Sequence, residues 1–180
     1  MSAAMELRAR HKERFEKTWG VSLGFMSLFA RACVLALRDV PLVNARIEGE
    51  EIVVPHYVNL GIAASTERGL VVPVVRGADR MGLADLEREI GRLAGMARDG
   101  SLAIDDLAGG TFTISNLGML GIDEFDAILN VPQVAILAVG STRQQPRLVD
   151  GETQWLPIAR LTLTCDHRAL DGEFSTGALF

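Results

Sequence analysis

Leu161-Thr162-Leu163-Thr164-Cys165-Asp166-His167-Arg168-Ala169-Leu170-Asp171-Gly172 is the stretch from which the rest of the chain is best read. Leu161 and Leu163 alternate with Thr162 and Thr164, the period of a strand buried on one side. A strand that runs into a histidine sets its imidazole at the rim of a sheet. Asp171, past a turn, can fold back to orient that ring. Histidine has the unperturbed pKa nearest physiological pH, so His167, held in place, can take and return a proton. The same residues allow a plainer reading, in which Asp171 caps a helix starting at Glu173 and His167 is a structural hydrogen-bonder.

Composition sets the frame. A chain of 180 residues suits one domain with a real core, and 48% hydrophobic with 23% charged residues is ordinary for a globular protein. The net charge of -5 argues against a nucleic-acid partner, which wants a basic face. Cys33 and Cys165 lie far apart without C-x-x-C spacing, so neither a disulfide framework nor a metal site is expected. No apolar run has membrane-spanning length, and Met1-Ser2-Ala3-Ala4-Met5 is too short and too soon followed by charge for a signal peptide. These features point to the cytoplasm and away from a membrane.

Taken in order, Ala4 to Lys17 reads as a charged helix with sparse apolar contacts at Met5, Leu7 and Phe15. Ser27 is the expected N-cap of a second helix reaching Leu37, apolar almost all round and so buried on several sides. Val43 to Ile47 and Ile52 to Val54 flank a tight Glu48-Gly49-Glu50 turn. Val58 to Ala64 and Leu70 to Val75 form a second pair around Ser65 to Gly69, with Pro73 marking an edge or bulge. Leu83, Leu86, Ile90, Leu93 and Met96 make one helical face, stopped by Gly100. Beyond it Thr111 to Asn116, Gln133 to Val139, Arg147 to Val149 and Trp155 to Thr164 are the expected strands, with Asp150-Gly151 as a hairpin turn. The expectation is one α/β domain over residues 1–180, a two-layer sandwich of a mixed sheet with helices on one face.

Alternation puts Thr111, Thr113 and Ser115 on one side of their strand and Phe112 and Ile114 on the core side. The hydroxyl row is either a solvated face or the source of a donor to a developing oxyanion. Cys165 is a rival nucleophile, since a regular strand would point it to the same side as His167. His11 and His56 read as solvated or structural.

His167-Arg168-Ala169-Leu170-Asp171-Gly172 resembles the H-x-x-x-D-G signature of the acyltransferase (E2) components of 2-oxo acid dehydrogenase complexes, shared with chloramphenicol acetyltransferase. Three further stretches are similar to that family in the same order: Gly110 to Gly118 (G-x-F-T-I-[ST]-N), Asn130 to Leu137 (N-x-P-x-x-A-I-L) and Thr66 to Val74 (T-x-x-G-L-x-x-P-V). The resemblance implies a chloramphenicol-acetyltransferase-like fold in homotrimers with the active site between subunits. It also implies coenzyme A and the lipoyl group of a lipoyl domain as substrates. His167 would be the base, Ser115 the oxyanion donor and Asp171 the residue holding the loop and ring, although a backbone carbonyl could equally fix the imidazole tautomer. Coenzyme A contacts are expected at Arg68, Gly69, Leu70 and Pro73 of the hairpin, at Thr113 and Asn116, and at Arg168. Asn116 also reads as a strand-end turn residue, and Arg76 and Arg80 are further candidates for the phosphates.

The family domain normally begins upstream of Ser2 with a basic segment and a strand, and continues beyond Phe180 through a helix and an apolar tail. The chain thus resembles a truncated catalytic core, expected to form trimers in place of a large hollow assembly. Gly20 to Ile47 resembles succinyltransferases, whereas Thr113 to Gly140 is closer to acetyltransferases, which tips the expectation slightly to acetyl. A non-catalytic oligomerising scaffold is the alternative; retention of His167 with Asp171 favours the enzyme.

Overall fold

The computed structural model describes residues 1–67 and 69–172. The expectations placed on Arg68 and on a helix from Glu173 lie outside the described residues. Two helices come first, α1 (Ser2–Trp19) and α2 (Phe25–Asp39), then the short strands β1 (Arg46–Glu48), β2 (Glu51–Val53), β3 (Leu60–Ile62), β4 (Ala64–Thr66), β5 (Gly69–Val71) and β6 (Val74–Val75). Helices α3 (Leu83–Asp99) and α4 (Ile104–Leu107) precede β7 (Phe112–Asn116), β8 (Ala135–Val139), β9 (Arg143–Val149), β10 (Glu152–Ile158) and β11 (Leu161–Cys165).

The main sheet has the order β11-β8-β7-β3-β6. Its inner strands β3, β7 and β8 are parallel, and β6 and β11 close the edges antiparallel. The sheet is mixed, as expected. Alternation delivers Leu60, Phe112, Ile114, Leu137, Val139 and Leu163 to one face, where they meet Ala30, Val34 and Leu37 of α2 and Leu86 and Leu93 of α3. Each such side chain removed from water contributes roughly 1.5–3 kcal/mol.

Helix α2 is not buried all round. Its inward stripe is Ala30, Cys33, Val34 and Leu37, at helical offsets, while Leu35 is 46% exposed on the far side. Helix α1 has no buried residue and is held by Arg8, whose Nε donates to the Leu23 carbonyl at 2.8 Å and whose guanidinium lies 5.2 Å from the Phe25 ring centre. Among the described residues no helix is long and apolar enough to cross a membrane.

Ser27 is not the N-cap of α2. The helix starts three residues earlier, at Phe25 after Gly24, and Ser27 lies inside it, fully buried. The cap comes from α3: the Glu87 carboxylate accepts the Gly24 N–H and the Ser27 hydroxyl. A carboxylate at a helix N-terminus satisfies orphan donors and meets the positive end of the dipole. Glu87→Ala is therefore expected to destabilise the fold by about 1–2 kcal/mol, read by denaturant unfolding. A change indistinguishable from an exposed charge on the outer face of α3 would contradict the cap.

Other boundaries shift for local reasons. Val43 and Asn44 belong to a 3-10 turn (Pro41–Asn44), because Pro41 at its start presets a helical φ. The pair around Ser65 to Gly69 is split, with β4 pairing β5 and β3 pairing β6, and Pro73 between them accepts the Ile62 N–H through its carbonyl at 2.9 Å. The expected Trp155-to-Thr164 strand breaks at Ala159-Arg160, since β10 pairs with β9 in a hairpin of its own and β11 enters the main sheet. That hairpin turns on Asp150 (φ 51°) and Gly151 (φ 83°), both left-handed as its two-residue turn requires.

Candidate active site

His167 stands on the turn that leaves β11. The Asp166 N–H donates to the Val134 carbonyl at 2.7 Å, and the Asp166 carbonyl accepts from the N–H of Ala169 at 3.0 Å and of Leu170 at 3.1 Å. Leu170, 2% exposed, plugs the turn into the core. The turn therefore cannot swing away, and His167 is presented to solvent at its tip. Asp171 follows Leu170 at the surface where the turn ends.

Arg168 is already engaged. Its guanidinium forms a forked pair with the Asp166 carboxylate, Nη2 to Oδ2 at 2.6 Å and Nε to Oδ1 at 3.0 Å, and its backbone N–H reaches Oδ1 at 3.0 Å. The Arg168 side chain beside it holds the Asp166 carboxyl below the usual carboxylate range. The pair is exposed on the Arg168 side, so its Coulombic worth is small; what it fixes is geometry. A coenzyme A phosphate would have to compete with Asp166 for this guanidinium.

Ser115 lies near the C-terminal end of β7, half-buried, on the sheet face away from α2 and α3. The hydroxyl row is not a solvated face. Thr111 and Thr113 are buried, and the Thr113 hydroxyl donates to Gln133 Oε1 at 2.6 Å. A side chain on Gly61 would collide with that hydroxyl, 2.8 Å from its Cβ position. Thr113 is thus closed off from a coenzyme A contact within the chain, and Ser115 is the member of the row with access to solvent. Asn116 points the other way: its Oδ1 accepts the Gly118 N–H at 2.8 Å and its Nδ2 lies 3.2 Å from Met26 Sδ in α2. It is a strand-end turn residue.

Of the hairpin positions, Gly69 has a φ of 117° and Leu70 is 69% exposed, so both are accessible, whereas Pro73 is buried. Arg76 is spent on the carbonyls of Asp105 and Ala108, and Arg80 is an exposed surface charge. Cys165 faces the helix layer with Leu163, and burial pushes its thiol pKa up. A nucleophilic cysteine needs the opposite shift. Cys33, on the inward stripe of α2, is pushed up to about 12 by burial and is equally inert.

Strand register measures how far apart the two candidate groups are. Ser115 is opposite Ala138, and Ala138 is opposite Thr162. From Thr162 to Cys165 the strand climbs about 10 Å, and two strand spacings add about 10 Å across. His167 is further on still. Within one chain the ring and the hydroxyl therefore sit on the order of 15 Å apart or more, at opposite ends of the sheet.

A mixed sheet covered by helices on one face, with a histidine on the turn after its edge strand, defines a chloramphenicol-acetyltransferase-like fold. Chloramphenicol acetyltransferase itself superposes with a TM-score of 0.57 over 93% of this chain and 78% of its own, at 14% identity, which speaks for the fold alone. The chain belongs to the family described as 2-oxoacid dehydrogenases acyltransferase (catalytic domain), whose model matches residues 1–179. It is 51% identical over 173 residues to the dihydrolipoyllysine-residue succinyltransferase component of the 2-oxoglutarate dehydrogenase complex of Bartonella vinsonii subsp. berkhoffii, covering 96% of this chain and 42% of that protein. The chain thus spans less than half the length of that relative. Dihydrolipoamide acetyltransferase of Azotobacter vinelandii, whose crystallographic and enzymatic study concerned the roles of a serine, a histidine and an asparagine in catalysis, superposes with a TM-score of 0.91 at 36% identity, over 97% of this chain and 72% of its own. The cubic core of a pyruvate dehydrogenase multienzyme complex matches with a TM-score of 0.91 at 35% identity, over 97% and 72%.

Proposed function

We propose that residues 1–180 act as one catalytic domain that moves an acyl group between dihydrolipoamide and coenzyme A, with His167 as general base, Ser115 as oxyanion donor and Asp171 holding the loop that carries the ring. The observation that carries this is spacing. The serine and histidine studied in the Azotobacter vinelandii enzyme are separated by the same interval as Ser115 and His167, and its histidine and asparagine by the same interval as His167 and Asp171. An asparagine in that last position cannot accept the proton, which fits Asp171 as an orienting group.

Neutral His167 takes the proton of a thiol, which at its ordinary pKa of about 8.5 is little ionised. The sulfur attacks the thioester carbonyl carbon, and the Ser115 hydroxyl donates to the tetrahedral oxyanion. Collapse expels the partner thiolate, which takes the proton back from the imidazolium. The in-chain separation supports a site built between neighbouring subunits of a homotrimer, in which one contributes His167 and the other Ser115. Gly69 and Leu70 at the hairpin tip remain accessible contacts for coenzyme A. The cytoplasm suits a chain with two free thiols.

The slight preference for acetyl finds no support among the relatives 45–51% identical to this chain, which are named succinyltransferases. Succinyl is therefore the proposed acyl group. With dihydrolipoamide as acceptor, kcat/KM is expected to be at least about tenfold higher for succinyl-CoA than for acetyl-CoA, a difference of about 1.4 kcal/mol in the transition state. Equal or reversed preference would overturn the succinyl assignment, and no transfer of either group would leave the scaffold reading.

A further inference from the structure

Asp166 ties together the turn that carries His167. Its N–H is fixed to Val134 at the entrance of β8, its carbonyl closes the turn on Ala169 and Leu170, and its carboxylate takes both the backbone N–H and the guanidinium of Arg168. The residues immediately before and after His167 are thereby locked to one another across it. An exposed turn residue left free would lose about 1–2 kcal/mol of backbone freedom each time it was ordered. A base must also sit within fractions of an ångström of its proton to act. We propose that Asp166 is the positioning residue for His167, its carboxylate bridging residues 166 and 168 so that the imidazole is already oriented before substrate arrives.

This rests on His167 being the base, and the two can be told apart. In the assembled protein, kcat and KM for coenzyme A and dihydrolipoamide are measured for the wild type, His167→Ala, Asp166→Ala and Asp166→Asn. Asparagine keeps an oxygen that accepts the Arg168 N–H but loses the charge. Asp166→Ala is expected to lower kcat about 10–100-fold with KM within about twofold. Asp166→Asn is expected to recover kcat to within about threefold of wild type, because the turn bond and not the exposed ion pair carries the effect. Alanine retaining kcat, asparagine doing no better than alanine, or a loss confined to the KM of coenzyme A would each overturn the proposal. If Asp166→Ala fails to fold, Asp166→Ser takes its place, since its shorter hydroxyl holds the Arg168 N–H less well, and its kcat is expected to fall below that of Asp166→Asn and above that of His167→Ala; serine equal to wild type would overturn the proposal. Undiminished turnover by His167→Ala would instead overturn the base assignment, whatever the Asp166 variants do.

Discussion

Replacing His167 by alanine is expected to lower kcat for acyl transfer by about 10²–10⁴-fold, the range that a positioned general base supplies. The ring is exposed at the tip of its turn, while the bonds that hold the turn belong to Asp166, Ala169 and Leu170. Unfolding midpoint and assembly should therefore stay at wild-type values, and KM for either thiol should change little. Steady-state assays over a pH series check this. Cys165→Ala should retain wild-type kcat, because that thiol is packed against the helix layer with its pKa raised. A His167→Ala enzyme within threefold of wild type, or a Cys165→Ala enzyme that is dead, would move the chemistry to another residue.

The second large effect is on the fold. Gly140 follows β8 at the point where the loop after β7 folds back, and a methyl group there would overlap the Asp123 carbonyl oxygen and approach the Arg160 carbonyl at 3.3 Å. Both obstacles are backbone, so neither can swing aside. The loop is pinned by the Ser141 N–H on the Ile122 carbonyl at 2.7 Å, by Ser141 and Arg143 on Asp123, and by Arg160 on Glu124. Gly140→Ala must lift this loop, and a loss of roughly 2–4 kcal/mol is expected from overpacking together with the broken bonds. Gly91 supplies the contrast: it lies inside α3, exposed, with nothing within 4 Å of its Cβ position. Gly91→Ala should stabilise by about 0.5–1 kcal/mol. Chemical denaturation of both variants checks the signs, and a neutral Gly140→Ala would show that the loop is not pressed on that glycine.

Much of the sheet was legible because period-two alternation survives burial. Phe112 and Ile114 on one side and the hydroxyls on the other emerged as expected, as did the Asp150-Gly151 turn. What alternation could not show was which second face is also covered. Thr113 is buried by Gln133, a residue 20 positions away, and nothing local to either signals that pairing. The same limit hid the cap on α2: Ser27 has the right chemistry and a plausible place, but Glu87, from a distant helix, reaches Gly24 first. Gly140 could have been suspected as a glycine ending an apolar strand, yet only the return of Asp123 explains it. The turn that presents His167 was readable because its residues are adjacent in sequence. Its separation from Ser115 depends on strand order, which a single sequence does not display.

The proposed roles of His167 and Ser115 depend on a site shared between two subunits. The most direct measurement mixes His167→Ala and Ser115→Ala chains, each nearly inactive alone, by unfolding and refolding them together at equal amounts. Random trimers restore an intact His167–Ser115 pair at one interface of each mixed trimer, so activity should rise to about a quarter of wild type. Mixed trimers that form, as seen by native mass spectrometry, but stay as inactive as their parents would contradict it.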